Sequence, residues 1–316
     1  MLKSVFLIFI LQLSVSTFSQ SESELLNAAY NNNEKKVYYL LKGGINPNVF
    51  DANGVTPLMY AVDNNNLYLT KLLIKYGADV NKVPENQITA LLSAVKNNNP
   101  EIVKILLDKK ANPDKTDEYG NSPLMLCAAY GYPLVAAYLC SYGADIFYQN
   151  SFGTDAAMIA AYYNDTDILQ VLWDYYADFN TKDNTGFTPL IIAAQQGNTE
   201  TVKFLTEKSA KLFAKTDKNI NCLDAALLNK QIETAKYLIR NHPNLNHQIN
   251  SKISSYNIAK YMKMTEILPF FPDKENSKKK HKLSKKYFNF AVKNIPAEIF
   301  ENKQKKERGF SIGKSN

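Results

Sequence analysis

The sequence predicts an all-α solenoid, a stack of helix-turn-helix units joined by short β-turn fingers, and three observations predict it. One short pattern returns every 33 residues: Thr56-Pro57-Leu58, Ser122-Pro123-Leu124 and Thr188-Pro189-Leu190 stand 66 apart, and Thr89-Ala90-Leu91 and Asp155-Ala156-Ala157 fill the intermediate steps. Five residues after each cap the register keeps a small side chain, at Ala28, Ala61, Ala94, Cys127, Ala160, Ala193, Ala226 and Ala259. Further along it keeps a large, mostly aliphatic pair, at Leu40-Leu41, Leu73-Ile74, Leu106-Leu107, Leu139-Cys140, Leu172-Trp173, Leu205-Thr206 and Leu238-Ile239. A fixed period of this kind marks a repeat architecture, because a lone helical hairpin cannot bury its own apolar face and its neighbours must cover it.

In chain order, Met1-Leu2-Lys3 is followed by an apolar run from Val5 to Leu13 and small polar residues through Ser19. That pattern predicts a signal peptide over residues 1–19, cleaved before Gln20, with Ser16/Thr17 as the rival site and a buried N-terminal helix as the other reading. Export to a periplasm or to the outside of the cell follows. The run is well short of the roughly 20 residues a membrane-spanning helix requires.

Residues 20–272 form the predicted repeat domain, with caps at Ser23, Thr56, Thr89, Ser122, Asp155, Thr188, Asn221 and Ser254. Ser or Thr at the cap accepts from free amides of the first helical turn, and Pro directly after it sits where a missing N–H costs nothing. The small residue lets a second helix approach closely, and the large pair on that helix fills the space toward the next hairpin. Each unit then ends on a turn-like group such as Gly44-Ile45-Asn46, Gly77-Ala78-Asp79 or Gly143-Ala144-Asp145, where Gly supplies the left-handed cap. Asn31-Asn32-Asn33, Asn64-Asn65-Asn66 and Asn97-Asn98-Asn99 recur at one phase and replace a Gly-containing turn between the paired helices, since Asn tolerates left-handed geometry. Units starting at Thr89, Asp155 and Asn221 lack the Pro and are expected soft spots. Pro269 and Pro272 fall where the last unit's second helix would run, so that unit is expected to be a truncated cap.

The 316-residue chain carries a net charge of +7, but residues 273–316 hold 13 Lys and Arg against 5 Asp and Glu, so the excess belongs to a basic tail. The folded part is close to neutral overall, which argues against nucleic acid as the partner. In the tail, Lys278-Lys279-Lys280-His281-Lys282 and Lys285-Lys286 precede Tyr287, Phe288, Phe290, Val292 and Ile295. This composition suits weak contact with an anionic membrane or envelope polymer, or a solvated extension with a short docked stretch.

Gly54-Val55-Thr56-Pro57-Leu58-Met59-Tyr60-Ala61 and Gly186-Phe187-Thr188-Pro189-Leu190-Ile191-Ile192-Ala193 resemble the signature Gly-x-Thr-Pro-Leu-His-x-Ala of the ankyrin repeat, and the resemblance covers about residues 20–272. It implies helix pairs with β-turn fingers and the binding of another protein through finger tips and first helices, which together line a concave groove. The motif His is absent, its place taken by Met59, Leu92, Met125, Met158, Ile191 and Asp224, so the hydrogen-bond network it supports is expected to be missing.

Carried onto this chain, the tip and groove positions are Phe50, Asn53, Tyr119, Tyr130, Phe152, Tyr162, Tyr163 and Phe187. Aromatic rings of this kind anchor many interfaces, and the same rings can instead pack on neighbouring turns and stiffen the stack. No cofactor or metal is expected, and no enzyme: the three histidines are His242, His247 and His281, none at ligand spacing, and no nucleophile elbow or phosphate loop occurs. Cys127, Cys140 and Cys222 are read as buried thiols, with a Cys127–Cys140 disulfide as the alternative. A monomer is expected.

Overall fold

The structure, a computed structural model, describes residues 20–245, 248–250 and 253–271. The export segment 1–19 and the basic tail 273–316 read from the sequence lie outside the described residues.

Helices come in pairs at the expected period. Residues 20–30 (α1) and Glu34–Lys42 (α2) form the first pair. It is followed by Pro57–Asp63 and Leu67–Lys75 (α3, α4), then Ala90–Lys96 and Pro100–Asp108 (α5, α6). Pro123–Tyr130 and Pro133–Ser141 (α7, α8) precede Ala156–Tyr163 and Thr166–Asp174 (α9, α10). Pro189–Gln196 and Thr199–Glu207 (α11, α12) lead to Cys222–Leu228 and Ile232–Asn241 (α13, α14). Ser255–Tyr261 (α15) has no full partner; a single 3₁₀ turn, Leu268–Phe270, stands in its place, with Pro269 inside it.

Two compact units divide the chain, residues 20–126 with 141–144 in the first and residues 127–140 with 145–271 in the second. In the first, α3 packs on its own partner α4 and on the next first helix α5, while α4 rests against α2 and α6. In the second, α9, α11, α13 and α15 follow one another, with α10, α12 and α14 behind. Within each unit these helices therefore line up in sequence order.

The core is the register made solid. All eight small residues are at most 4% exposed. Of the large pair, the first member is the constant core residue from Leu73 to Leu238, whereas the second varies from buried Leu107 to Trp173 at 37% exposure. The motif His positions are now apolar core, Met59, Leu92, Met125, Met158 and Ile191 being at most 2% exposed. Asp224 is the exception and is also fully buried.

Asparagine supplies the links between repeats that the absent His leaves open. Asn64 donates to the carbonyls of Ala29 and Tyr30 (both 3.1 Å), and Asn97 donates to Val62 and Asp63 (3.0 and 3.3 Å). Asn66 and Asn99 cap α4 and α6 while donating to Asn32 and Asn65 of the preceding turn (2.8 and 2.6 Å). The left-handed residues of these corners are Asn32, Asn65 and Asn98, with φ of +59°, +55° and +50°. A second ladder runs along the outer turns: Asn48 donates to Gly77 O (3.0 Å) and accepts from Asp79 N, and Asn81 donates to Lys110 O (2.9 Å) and accepts from Asn112 N. Each such bond contributes on the order of 1 kcal/mol and also fixes the register of one hairpin on the next.

The units without Pro keep their caps. Thr89 accepts from Leu92 N (3.3 Å), Asp155 from Met158 N (2.8 Å), and Asn221 forms a complete capping box with Asp224. A feature that the sequence did not signal is a two-stranded antiparallel ribbon, Gln248–Asn250 against Ile253–Ser254, which takes the place of the last finger.

Candidate functional site

Each finger is built on a polar side chain that folds the backbone over itself. In the first unit Asp51 accepts from Asn53 N and Val55 N (both 2.9 Å) and from the Tyr60 hydroxyl. This projects Phe50, 64% exposed, and the exposed Asn53, whose carbonyl accepts from Glu85 N of the next finger (3.0 Å). Asp117 repeats the device and accepts from Tyr119 N (3.0 Å) and Asn121 N (2.9 Å), leaving Tyr119 53% exposed.

The second unit carries the other five predicted residues. Tyr130 ends α7, and Tyr162 and Tyr163 end α9, one period later. The rings of Tyr162 and Tyr163 meet edge to face at 5.1 Å, and Tyr130 lies 5.7 Å from Tyr132. A Cβ on Gly131, directly after Tyr130, would stand 2.9 Å from the Asp165 carboxylate, which sets the ends of α7 and α9 side by side, and burial, then the neighbouring hydroxyls of Tyr162 and Tyr130, push the Tyr163 hydroxyl up to about 12. Phe152 stands at a finger tip, 36% exposed, and Phe187 is half-buried on the next. Those fingers are zipped together: Asn184 N donates to Phe152 O (3.1 Å) and the Asn184 amide to Ser151 O (2.8 Å). Gly153 (φ +75°) makes this approach possible, since a Cβ there would stand 2.7 Å from Asn184 N. The structure thus gathers Tyr130, Tyr162 and Tyr163, and sets Phe152 and Phe187 on adjoining tips.

Reading tips and aromatics alone missed a polar strip on the first helices of the first unit. Tyr30 and Tyr60 meet edge to face at 5.4 Å, and Ser93 donates to Asp63 (3.2 Å). Burial raises the Asp63 carboxyl and lowers the Lys96 amine, the latter resisted by Asp117, Glu118 and Asp63. The signal was present: Tyr30, Asp63, Lys96 and Tyr162 occupy one position of the 33-residue period.

Charge along the repeats is also blocked rather than even. From Thr116 to Thr181 there are eight Asp and Glu and no Lys, Arg or His, together with 14 aromatic residues; residues 182–272 carry twelve Lys and Arg against seven Asp and Glu. The near-neutral total read from the sequence is the cancellation of these blocks.

A shallow cavity of about 350 Å³ in the first unit is lined by Val80, Val83, Thr89, Leu91, Ala111 and Lys115 among others, and the Thr89 hydroxyl there is engaged as the cap of α5, accepting from Leu92 N. Among the described residues no three His, Cys, Asp or Glu gather to hold a metal ion, and no helix is long and apolar enough to cross a membrane. The three cysteines are buried free thiols; burial raises Cys127 and pushes Cys140 and Cys222 up to about 12, so none is a ready nucleophile.

No curated protein matches the chain at a significant level. The family model described as ankyrin repeats matches in three copies, over residues 7–84, 71–150 and 157–252. Helix pairs of the right period, fingers turned on Asp and Asn, and a match across most of the chain agree, and the protein belongs to the ankyrin-repeat family.

Proposed function

We propose that the chain is a non-catalytic protein-binding module, an exported monomer that grips a protein partner through its finger tips and the exposed ends of its first helices. The family's general role as a protein–protein interaction module supports this reading, and the tyrosine cluster at Tyr130, Tyr162 and Tyr163 carries it for this chain. Three large rings that reach the surface at the ends of successive first helices offer rigid, amphipathic contact area with few rotatable bonds, which is what interface anchors supply. Phe152 and Phe187 extend the same contact onto the tips, and Phe50, Asn53 and Tyr119 are the matching positions of the first unit. Export rests on the Lys3 and Val5–Leu13 pattern.

The test is affinity capture with the full chain and with Tyr130→Ala/Tyr163→Ala, folding being followed in parallel by circular dichroism. The double variant keeps its helical signal and loses the captured partner. Equal capture by both proteins refutes the role of the cluster.

A further inference from the structure

Six of the seven described second helices end on a left-handed residue, at Gly44, Gly77, Lys110, Gly143, Tyr176 and Ser209. For Gly77 and Lys110 that residue's carbonyl is taken by an asparagine of the preceding turn, Asn48 and Asn81 respectively, and Asp114 follows at the asparagine position. In the second unit the period puts Phe147 at the asparagine position and Tyr176 at the left-handed one, and asparagine returns one repeat later at Asn180, which accepts from Lys211 N (2.7 Å). The rings are 58% and 88% exposed, and Tyr176 sits at φ +67°, where a bulky side chain is disfavoured. Neither change is repaid by burial, and each gives up a local advantage that other repeats keep. Trp173, 37% exposed, stands three residues before Tyr176, with the Lys208 ammonium 5.2 Å from its ring centroid. Asp145, Asp174 and Asp178, all exposed, lie on the same outer turns.

We propose that this outer aromatic edge, distinct from the tyrosine cluster above, seats the chain's own basic segment, residues 278–290. Charge selects that occupant. The edge belongs to the stretch with eight acids and no cation, whereas residues 278–286 contain six Lys and no acid, and Tyr287, Phe288 and Phe290 follow directly with apolar surface to match the rings. Lys208 over Trp173 shows the contact a lysine makes here, a cation on the face of an indole. Reach is sufficient: the edge lies three repeats from α15, about 30 Å at 8–10 Å per packed helix, and the seven to fifteen residues between Phe271 and the lysines span up to about 25–50 Å.

Trp173 is the chain's single tryptophan and reports on the edge directly. Acrylamide quenching of its fluorescence is measured in the full chain and in a full-length variant with Lys278, Lys279, Lys280, Lys282, Lys285 and Lys286 all changed to Ser. The quenching constant rises about twofold in the variant and rises in the parent on adding about 1 M NaCl; a synthetic peptide of residues 276–292 restores protection to the variant. Phe147→Asn/Tyr176→Gly restores the ladder pair and the left-handed glycine, so it folds at least as well as the parent, and its Trp173 neither responds to salt nor gains protection from the peptide. Quenching that is equal in parent and lysine-free chains overturns the proposal. Protection that grows with protein concentration alongside a sedimenting dimer overturns it too, because the occupant is then the tail of a second copy.

Discussion

Asp224 makes the repeats that contain it less stable as pH rises from acid to neutral, the reverse of the usual behaviour of a carboxylate in a folded protein. The side chain is fully buried at the motif His position, where it accepts from Ser255 Oγ (2.7 Å) and from Asn221 N (3.2 Å). Burial pushes its carboxyl up to about 7 from an ordinary 3.8, against the opposing pull of those hydrogen bonds and of Lys215. Between those two values the unfolded chain has released the proton and the folded chain still holds it. The folded state therefore binds more protons, and stability present below the unfolded value is lost as pH climbs through the folded one. Three units at about 1.4 kcal/mol each give a loss of about 4 kcal/mol across the window. Asp155, 3% exposed and pushed up to about 6 by burial, acts in the same direction. Asp224→Asn separates the two, since an amide can still accept from Asn221 N and can donate to Ser255, and it carries no charge. Urea melts followed by Trp173 fluorescence and circular dichroism from about pH 4 to about pH 7.5 test this. The parent loses stability across the range, and Asp224→Asn loses less and is the more stable protein by about 2 kcal/mol or more at the upper end. A parent whose stability is flat or rises with pH, or an Asp224→Asn protein weaker than the parent at about pH 7.5, refutes the reasoning.

Asn99→Ala removes both the cap of α6 and the bond to Asn65, for a loss of about 2 kcal/mol in urea melts, whereas Asn99→Asp keeps the cap and loses about 1. Gly197→Ala meets Gln231 at 2.3 Å at a φ of +82°, and a fall in stability of about 1–2 kcal/mol is expected from the strained backbone and the displaced amide. Cys127, Cys140 and Cys222 resist a thiol reagent in the native protein and react at once in denaturant; fast native labelling of any of them refutes their burial.

Periodicity specifies most of this fold. A spacing of 33 specifies which side chains must be small, which must be large and where a cap must fall, and all of these are local or nearest-neighbour demands. The Asn corners were legible for the same reason: left-handed backbone is a property of the residue itself. Two things were not legible. The polar exchange that replaces the motif His depends on which amide reaches which carbonyl one repeat away, and Asn64 and Asn97 do this from positions that read locally as simple turns. The tyrosine cluster became a cluster only when the ends of α7 and α9 were laid side by side.

What the sequence alone determined is the unit: cap, small contact, core leucine, left-handed stop and turned finger, each set by forces acting over a few residues. Tertiary structure alone decided how much water each side chain keeps. The same Tyr is half-buried in a cluster at position 163 and almost wholly solvated at position 176, and a carboxyl that is an exposed acid at Asp174 holds its proton to about 7 at Asp224. Solvation depends on what neighbouring hairpins bring close, and the chain's order of residues fixes that only after the repeats have stacked.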